Sequence, residues 1–232
     1  MTSISPDTEI RFTPVQAPTL KGRIASEIRG AILRGDLKPG NRIVESRLAK
    51  QINVAQTTVR EALQELEAEG LVVKIINRET HVRKLTKADL VKLFQVRLEL
   101  EGLAAELARA NASGHDIEDL EETVEQMRRT ARRLDITGFY RADMDFHRRM
   151  WAITRNDFLI RALEPLSIGP FAFVLAGAPL PETVDFEAIA ADHAEIINVL
   201  RADSPKAARR LMEQKLRAWH EFQMRNLSAY LT

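Results

Sequence analysis

The sequence predicts a mainly α-helical protein, with a small β-containing N-terminal part followed by an antiparallel bundle of about six helices. Apolar residues recur at three- and four-residue spacing from residue 19 to 69, and again from residue 87 towards the C terminus. Between these runs, residues 71–76 and 80–82 favour strands and flank a polar tip at 77–79. Short breaks divide the second helical run, which is typical of helices that pack antiparallel.

Length and composition narrow the class of protein. The chain has 232 residues, enough for one or two domains, and no cysteine, which excludes disulfide bonds and thiolate metal sites. Residues 1–18 lack the apolar stretch of a signal peptide, and the longest uncharged run, 165–181, is too short and too broken for a membrane span. We therefore expect a cytoplasmic protein with no membrane segment.

The net charge of +1 conceals an uneven distribution. Residues 18–85 carry 13 Lys and Arg against 8 Asp and Glu, a balance of +5, whereas residues 86–232 balance at −3. A basic part joined to a mildly acidic part suits a protein in which only one part contacts phosphates.

The N-terminal elements follow one another in an informative order. Residues 1–18 lack periodicity and are interpreted as a flexible arm. A helix is predicted over 19–35, a short strand over 42–44, a second helix over 45–52 capped by Glu45 and Ser46, and a third over 56–69 that Gly70 ends. Two helices followed by a hairpin form a winged helix-turn-helix, whose second helix inserts its N-terminal residues into the major groove of DNA.

The candidate DNA contacts lie mainly at the start of the third helix. Glutamine and arginine form paired hydrogen bonds with purine edges, threonine offers a hydroxyl or a methyl contact, and arginines nearby suit phosphates. Periodicity alone fits an ordinary helical hairpin equally well. The candidates are Arg47, Gln56, Thr57, Thr58, Arg60 and Arg78.

The C-terminal helices are predicted from caps and breaks. Thr86 with Asp89 forms a capping pair for a helix over 87–111, after a linker at 83–86. Further helices are expected over 116–134 and 139–154, then from Asn156 to a break at Ile168-Gly169-Pro170. A short helix over 171–178 should follow, then one from 181 to about 203, and a last one from Ser204-Pro205 to about 227. The expected parts are an arm (1–18), a winged helix-turn-helix domain (19–83) and a helical domain (84–232).

One group of residues in the helical part has the chemistry of a metal site. Asp143 and His147 are four residues apart on one helix face, and His193 lies on a separate helix. A carboxylate with imidazoles suits Zn, Ni or Mn. The alternative is an ion pair of Asp143 with His147 or Arg148, with His193 unrelated. A metal-dependent hydrolase built on the three residues is a second alternative, but the usual hydrolase motifs and phosphate loop are absent, so we expect no enzyme.

Residues 20–85 resemble the DNA-binding domain of the GntR superfamily of bacterial transcription regulators, through GAILRGDLKPG (30–40), ESRLA (45–49) and NVAQTTVREALQELEAEGLV (53–72). The helical part resembles the effector-binding and dimerisation domain (FCD type) of the FadR subgroup, through VRLELEGLAAELA (96–108), DMDFHRRMWAITRND (143–157) and ADHAEIINVLRADSPKAARRLM (191–212). The resemblance implies a homodimeric repressor that binds a double-stranded, pseudo-palindromic operator, and whose DNA binding a small carboxylate metabolite modulates.

The resemblance also implies site residues. The positions of Asp143, His147 and His193 match family residues that hold a divalent metal, but the family's further histidine is Lys215 here. We expect Lys215 to take over part of the role of the metal, by pairing with Asp143 or by binding an effector carboxylate. His220, five residues further on, faces a different direction on a helix and is not expected to substitute.

Three more positions bear on these expectations. Arg97 matches an arginine of the family's opening helix, and either binds an effector carboxylate or pairs with Glu101 four residues on. Many relatives carry arginine at the position of Gln56, which favours adenine instead of guanine. They also carry a glycine at the wing tip, which is absent here. These two departures leave open a third reading, a metabolite sensor that no longer binds DNA.

Overall fold

A computed structural model describes residues 19–75, 79–175, 184–202 and 204–226. Within these residues the chain forms nine helices and three strands, which confirms the mainly α-helical class. The elements, in chain order, are α1 (Leu20–Leu33), β1 (Arg42–Ile43), α2 (Glu45–Gln51), α3 (Gln56–Ala68), β2 (Val72–Ile75), β3 (Glu79–Val82), α4 (Lys87–Asn111), α5 (Gly114–Arg132), α6 (Ile136–Ile153), α7 (Asp157–Leu175), α8 (Phe186–Ala202) and α9 (Pro205–Asn226).

The N-terminal elements form a winged helix-turn-helix. Three helices pack around one apolar core, and the strands form an antiparallel sheet in the order β1-β3-β2. The predicted strand at 42–44 pairs with the hairpin as expected, with Arg42 opposite His81 and Ile43 opposite Thr80. The apolar stripe of α3 faces the core and is buried at Val59, Ala62, Leu63 and Leu66.

The start of α2 differs from the prediction. Glu45 and Ser46 do not cap it, because the cap residue is Val44, which makes no side-chain hydrogen bond to the helix. Glu45 is the first residue of the helix, and its side chain turns towards α3 instead. The prediction was wrong because polar residues at a helix start often cap it, whereas Glu45 makes a tertiary contact with α3 instead.

Six further helices build the C-terminal bundle. Helix α4 packs along α9, and α5 packs along α6 and α8. Both predicted and unpredicted caps fix the helix starts: Thr86 with Asp89 begins α4 with a reciprocal capping box, and Ser113 with Asp116 does the same for α5. The largest fully buried side chain of the bundle is that of Trp151.

Two predictions in the bundle are corrected. Helix α7 continues through Ile168-Gly169-Pro170 to Leu175, so no break occurs there and no separate helix begins at residue 171. A proline removes one backbone hydrogen bond, but it does not have to end a helix that packs against neighbours, as α7 packs against α4 and α6. Helix α8 begins at Phe186, after Asp185 accepts from the Ala188 N–H at 2.9 Å. The predicted start at 181 lies outside the described residues.

The N-terminal head contacts the bundle through α7. Helix α1 packs against α7, and Gly70, the residue that ends α3 with φ +77°, lies against Pro165 of α7. A Cβ at residue 70 would lie 2.7 Å from the Pro165 carbonyl oxygen. On the same side, Arg29 of α1 forms a bidentate pair with Glu69 at 2.6 and 2.9 Å. The C-terminal end of α3 is therefore held between α1 and the bundle.

Candidate functional site

A buried cluster of one carboxylate and two imidazoles lies between α6 and α8. Asp143 and His147 project from the buried face of α6, as their four-residue spacing predicts, and His193 projects from α8 opposite them. Their exposed fractions are only 3%, 7% and 7%. The candidate ligand atoms of the three residues all lie within 4.8 Å of one another. His193 therefore lies beside the α6 pair, as expected. The alternative pairing of Asp143 with Arg148 is wrong, because Arg148 pairs with Glu164 at 3.2 Å.

His193 is oriented for a role at its Nε2 atom. Its Nδ1 lies 2.8 Å from the Ile189 carbonyl oxygen, which only accepts, so Nδ1 carries the proton. Nε2 then lies 3.0 Å from Asp143 Oδ1, but the angle falls outside hydrogen-bond geometry. A lone pair facing a carboxylate at this distance requires a proton or a cation between them. Ligand atoms about 2.0–2.2 Å from one ion lie about 3–3.5 Å apart.

A second buried atom points to the same conclusion. Asp143 Oδ2 has no hydrogen-bond partner among the described residues, although it is buried. An unsatisfied buried carboxylate oxygen is costly unless a ligand or an ion completes its shell. The cluster therefore has two buried acceptor atoms, on Asp143 and His193, that suit a cation.

The electrostatic environment favours the protonation states that a metal needs at Asp143 and His147, but not at His193. Burial raises the pKa of Asp143, but His193 and the other positive groups nearby lower this pKa by more than burial raises it. The pKa of Asp143 therefore stays below its usual value. Burial lowers the pKa of His147, and the carboxylates of Glu101 and Asp143 reverse this only in part. Burial also lowers the pKa of His193, but the contact with Asp143 raises it more. Asp143 is thus ionised and His147 neutral at neutral pH, as ligands must be.

Glu101 supports the cluster from α4 and was not predicted as a site residue. Its side chain is fully buried, and its two oxygens accept from Arg97 Nη2 at 3.1 Å and from Trp151 Nε1 at 2.8 Å. The second oxygen also lies 3.9 Å from His147 Nδ1. This separation is too long for a hydrogen bond, so Glu101 acts on His147 through its charge, which raises the pKa of the imidazole in part. Arg97 therefore forms the predicted pair with Glu101, and its buried Nε lacks a hydrogen-bond partner within the described part of the chain.

Lys215 does not pair with Asp143, which corrects one expectation. Its Nζ lies 2.6 Å from Asp192 Oδ1 and 2.5 Å from Glu195 Oε2, both on α8. The side chains of Asp192 and Glu195 are half exposed, whereas that of Asp143 is buried. A charged ammonium therefore loses less of its hydration beside them. His220 stacks on Phe94 with ring centroids 4.0 Å apart, so it does not join the cluster, as predicted.

A small cavity opens onto the cluster. Its volume is about 80 Å³, enough for several water-sized groups but too small for a long acyl chain. Tyr140, which the sequence analysis missed, lies in its wall, and burial together with the Asp143 charge raises the pKa of its phenol well above the usual value. The lining residues are Arg97, Phe139, Tyr140, Asp143, His147, Ile189, Asp192, His193, Ile196, Met212, Lys215, Leu216 and Trp219.

The predicted DNA contacts lie on a different face, around the start of α3. Gln56, Thr57 and Arg60 are exposed and Thr58 is half-buried. The side chains of Gln56 and Arg60 converge on Glu45 of α2, whose Oε2 accepts from Gln56 Nε2 at 3.2 Å and from Arg60 Nε at 3.0 Å. This role of Glu45 was not predicted from the sequence.

The remaining predicted contacts are only partly described. Arg47 is exposed on α2. Asn77 and Arg78, the first two residues of the expected wing tip at 77–79, lie outside the described residues. Glu79, the last residue of that tip, pairs with Arg42 at 2.9 Å and lies 3.3 Å from His81 Nε2, so its charge is partly compensated. None of the described helices has the length and apolar character to cross a membrane.

Comparison with known proteins accounts for both halves of the chain. The model of the gntR family of bacterial regulatory proteins matches residues 20–82, and the FCD domain model matches residues 92–218. The chain is 32% identical over 201 residues to the "Probable D-xylose utilization operon transcriptional repressor" of Paenarthrobacter nicotinovorans, covering 84% of this chain and 87% of that protein. It is 27% identical over 183 residues to the gluconate operon transcriptional repressor of Bacillus licheniformis, covering 77% and 74%.

The fold is also found among solved structures. The structure of Escherichia coli McbR/YncC superposes with a TM-score of 0.72 at 23% identity, covering 88% of this chain and 98% of that one. A likeness at this identity establishes the shared fold. Together with the family models and the relatives, it leads to one conclusion: the chain belongs to the gntR family of bacterial regulatory proteins, carries an FCD domain, and is a DNA-binding transcription regulator.

Proposed function

We propose that this regulator is a cytoplasmic homodimeric repressor that reads its operator with the N-terminal residues of α3. The observation that carries the proposal is the exposed group at the start of that helix, where Gln56 and Arg60 lie side by side and are fixed by one carboxylate. In the proposed division, residues 19–83 bind DNA and residues 84–232 bind the effector and form the dimer.

The physical basis is the match between this surface and the major groove. The first turn of α3 has no side-chain cap, so its leading backbone N–H groups remain available to phosphates. Thr57 and Thr58 stand beside Gln56, and Arg47 lies on the neighbouring helix, within a segment whose net charge is +5. Two such heads on a two-fold dimer would contact two half-sites of a pseudo-palindrome. Two relatives carry repressor in their names, which supports repression here.

The test is the affinity of the full-length protein for a duplex selected from a random library, measured by fluorescence anisotropy. Replacing Arg60 with alanine removes a base or phosphate contact and the cation that pairs with Glu45, which keeps only the hydrogen bond from Gln56. We expect a loss of about 1–3 kcal/mol, which is about 5- to 150-fold in Kd. Arg201→Ala is the matched control, since Arg201 is also an exposed arginine in an ion pair, at 2.7 Å from Glu121 on the bundle. Equal affinity of Arg60→Ala and the wild type would refute the assignment.

We further propose that the cluster of Asp143, His147 and His193 holds a divalent cation, Zn, Ni or Mn, and that a small organic acid binds beside it. The cation would supply a positive centre with open positions for a carboxylate. Such a centre is needed because the side chains in and directly behind the cavity wall carry more negative than positive charge. Four are carboxylates and two are cationic: Glu101, Asp143, Asp192 and Glu195, and Arg97 and Lys215. An anion would be repelled without a compensating charge.

Arg97 and Lys215 would hold the acid from the protein side. Arg97 lines the cavity, its buried Nε has no hydrogen-bond partner among the described residues, and a guanidinium suits a carboxylate. Lys215 lies at the edge of the same cavity, where its charge is shared with α8. The volume of about 80 Å³ restricts the acid to a few carbon atoms.

A continuous set of contacts joins this site to α3. On α6, His147 is followed by Arg148, which pairs with Glu164 of α7. The next residue of α7 is Pro165, which lies against Gly70 at the end of α3. A shift of α6 on ligand binding would therefore reach the C-terminal end of α3. Differential packing of this kind is the physical basis for a change in operator affinity.

Metal content, measured by mass spectrometry of the purified full-length protein, tests the cation site. We expect about one ion per chain in the wild type and far less in Asp143→Asn. Asp145→Asn, on the exposed face of the same helix, is the matched control and should keep the ion. Lys215→His adds an imidazole near the site and should retain metal at least as well. No metal in the wild type, together with metal in Lys215→His, would show that lysine has replaced the ion.

A further inference from the structure

The side chain of Glu45 is the centre of a small polar network on the DNA-facing side of the head. Its exposed fraction is 13%, and a single oxygen, Oε2, accepts two hydrogen bonds. The donors are Gln56 Nε2 at 3.2 Å and Arg60 Nε at 3.0 Å, and Arg60 Nη2 lies 2.9 Å from the same oxygen as an ion pair. These donors belong to Gln56 and Arg60, the two side chains at the start of α3 that can form paired hydrogen bonds with a base.

The carboxylate fixes the orientation of the Gln56 amide. Burial raises the pKa of Glu45, but the hydrogen bonds from Arg60 and Gln56 lower it more, so the group is ionised at neutral pH. An ionised carboxylate only accepts, so the NH₂ end of the Gln56 amide must face it. The amide oxygen and one remaining N–H are then left for a base.

This orientation distinguishes the two purines. Adenine presents a donor and an acceptor in the major groove, which match the amide oxygen and one N–H of glutamine. Guanine presents two acceptors, O6 and N7, and would need both N–H groups of the amide. One of these N–H groups already donates to Glu45.

We propose that Glu45 is a specificity-determining positioning residue: by occupying one amide N–H of Gln56, it restricts α3 to adenine and excludes guanine at one base pair of each half-site. The proposal rests on the DNA-reading role of α3 proposed above. Glu45 acts through Gln56 and Arg60 and does not itself contact the base. Its carboxylate also holds the Arg60 guanidinium beside the amide, which keeps the two readers in a fixed register.

The experiment compares five full-length proteins: the wild type, Gln56→Ala, Glu45→Gln, Glu45→Ala and Glu61→Gln. A sequence selected by the wild type from a random duplex library identifies the base pair whose preference Gln56→Ala abolishes. Competition anisotropy then gives the ratio of Kd for guanine and adenine at that pair. Glu61→Gln is the matched control, because Glu61 is an exposed carboxylate on the same helix and makes no hydrogen bond or ion pair with the described residues.

In the wild type we expect adenine to be preferred by about 5- to 150-fold, the range of one good bidentate contact. Glu45→Gln should reduce this ratio at least fivefold, because an amide at residue 45 donates as well as accepts and lets Gln56 rotate. The ratio should stay at the wild-type value in Glu61→Gln. Glu45→Ala should reduce the ratio in the same way, and thermal unfolding of each variant confirms that it is folded.

Each contrary result has a distinct meaning. An unchanged ratio in both Glu45 variants would overturn the proposal, and so would an equal fall in Glu61→Gln, which would indicate a general charge effect. A selected sequence without any adenine preference that depends on Gln56 would overturn it as well. Failure of the wild type to enrich any sequence would instead refute the proposed operator reading.

Discussion

Replacing Gly70 with alanine should destabilise the protein by more than the cost of its positive φ angle alone. Gly70 has φ +77°, and an added Cβ would lie 2.7 Å from the carbonyl oxygen of Pro165. Gly40 offers a matched control, because its φ of +83° is similar and no atom lies within 4 Å of an added Cβ. The two substitutions therefore share the conformational cost and differ in the contact with α7.

The magnitude follows from these two contributions. A left-handed conformation costs an L-residue about 1–2 kcal/mol, which is the whole effect expected for Gly40→Ala. Overpacking against a backbone atom adds about 1–3 kcal/mol for Gly70→Ala. The difference of about 1–3 kcal/mol corresponds to a melting temperature about 2–12 °C lower than that of Gly40→Ala.

Thermal unfolding followed by circular dichroism, with denaturant unfolding as a second measurement, gives this difference. Because the clash lies where α3 meets the bundle, Gly70→Ala should also change the operator affinity, while Gly40→Ala should change it less. Equal destabilisation by the two substitutions would refute the contact between the end of α3 and Pro165, and with it the proposed route from the bundle to the DNA-binding head.

Two further predictions concern the bundle. Trp151→Phe keeps most of the buried ring but leaves the Glu101 carboxylate without its indole donor, so urea unfolding should show a loss of about 1–3 kcal/mol. Thr86→Ala removes the N-cap of α4 and should cost about 1 kcal/mol at pH 7. The hydrogen bonds from Thr86 lower the pKa of Asp89, so the stability from this capping box is present above the ordinary aspartate pKa. This stability is lost as the pH falls through the lowered pKa of Asp89 in the folded protein. The difference in unfolding free energy between Thr86→Ala and the wild type should therefore shrink below about pH 4.

Local signals in the sequence were sufficient for most elements. Helix α4 has the predicted bounds because its capping pair and its C-terminal break are both encoded within a few residues. Helix α6 begins three residues before the prediction, since Asp135 caps it through the Gly138 N–H at 2.9 Å, next to Leu134 with φ +55°. The break at Gly169-Pro170 was wrongly predicted because the local rule for proline does not include packing against neighbouring helices.

The candidate site was predictable only in part, for a similar reason. The spacing of Asp143 and His147 places both on one helix face, whereas the approach of His193 depends on how α8 packs. The residues alone therefore left open whether His193 belongs to the group, and the family resemblance favoured it. Glu101 reaches Trp151 across 50 residues of sequence, and Glu45 reaches Arg60 across 15. Spacing contains no information about such contacts, so these supporting carboxylates emerged only from the folded chain.

The most direct test of the account is the affinity for the selected duplex, measured by anisotropy with Zn, Ni or Mn and a panel of small carboxylates. We expect at least one combination of metal and carboxylate to change the affinity of the wild type by about 5- to 150-fold, the range of ordinary allosteric coupling. The same combination should leave Asp143→Asn unaffected and should still act on Asp145→Asn. An unchanged affinity across the panel, or an equal response in Asp143→Asn, would contradict control of DNA binding by this site.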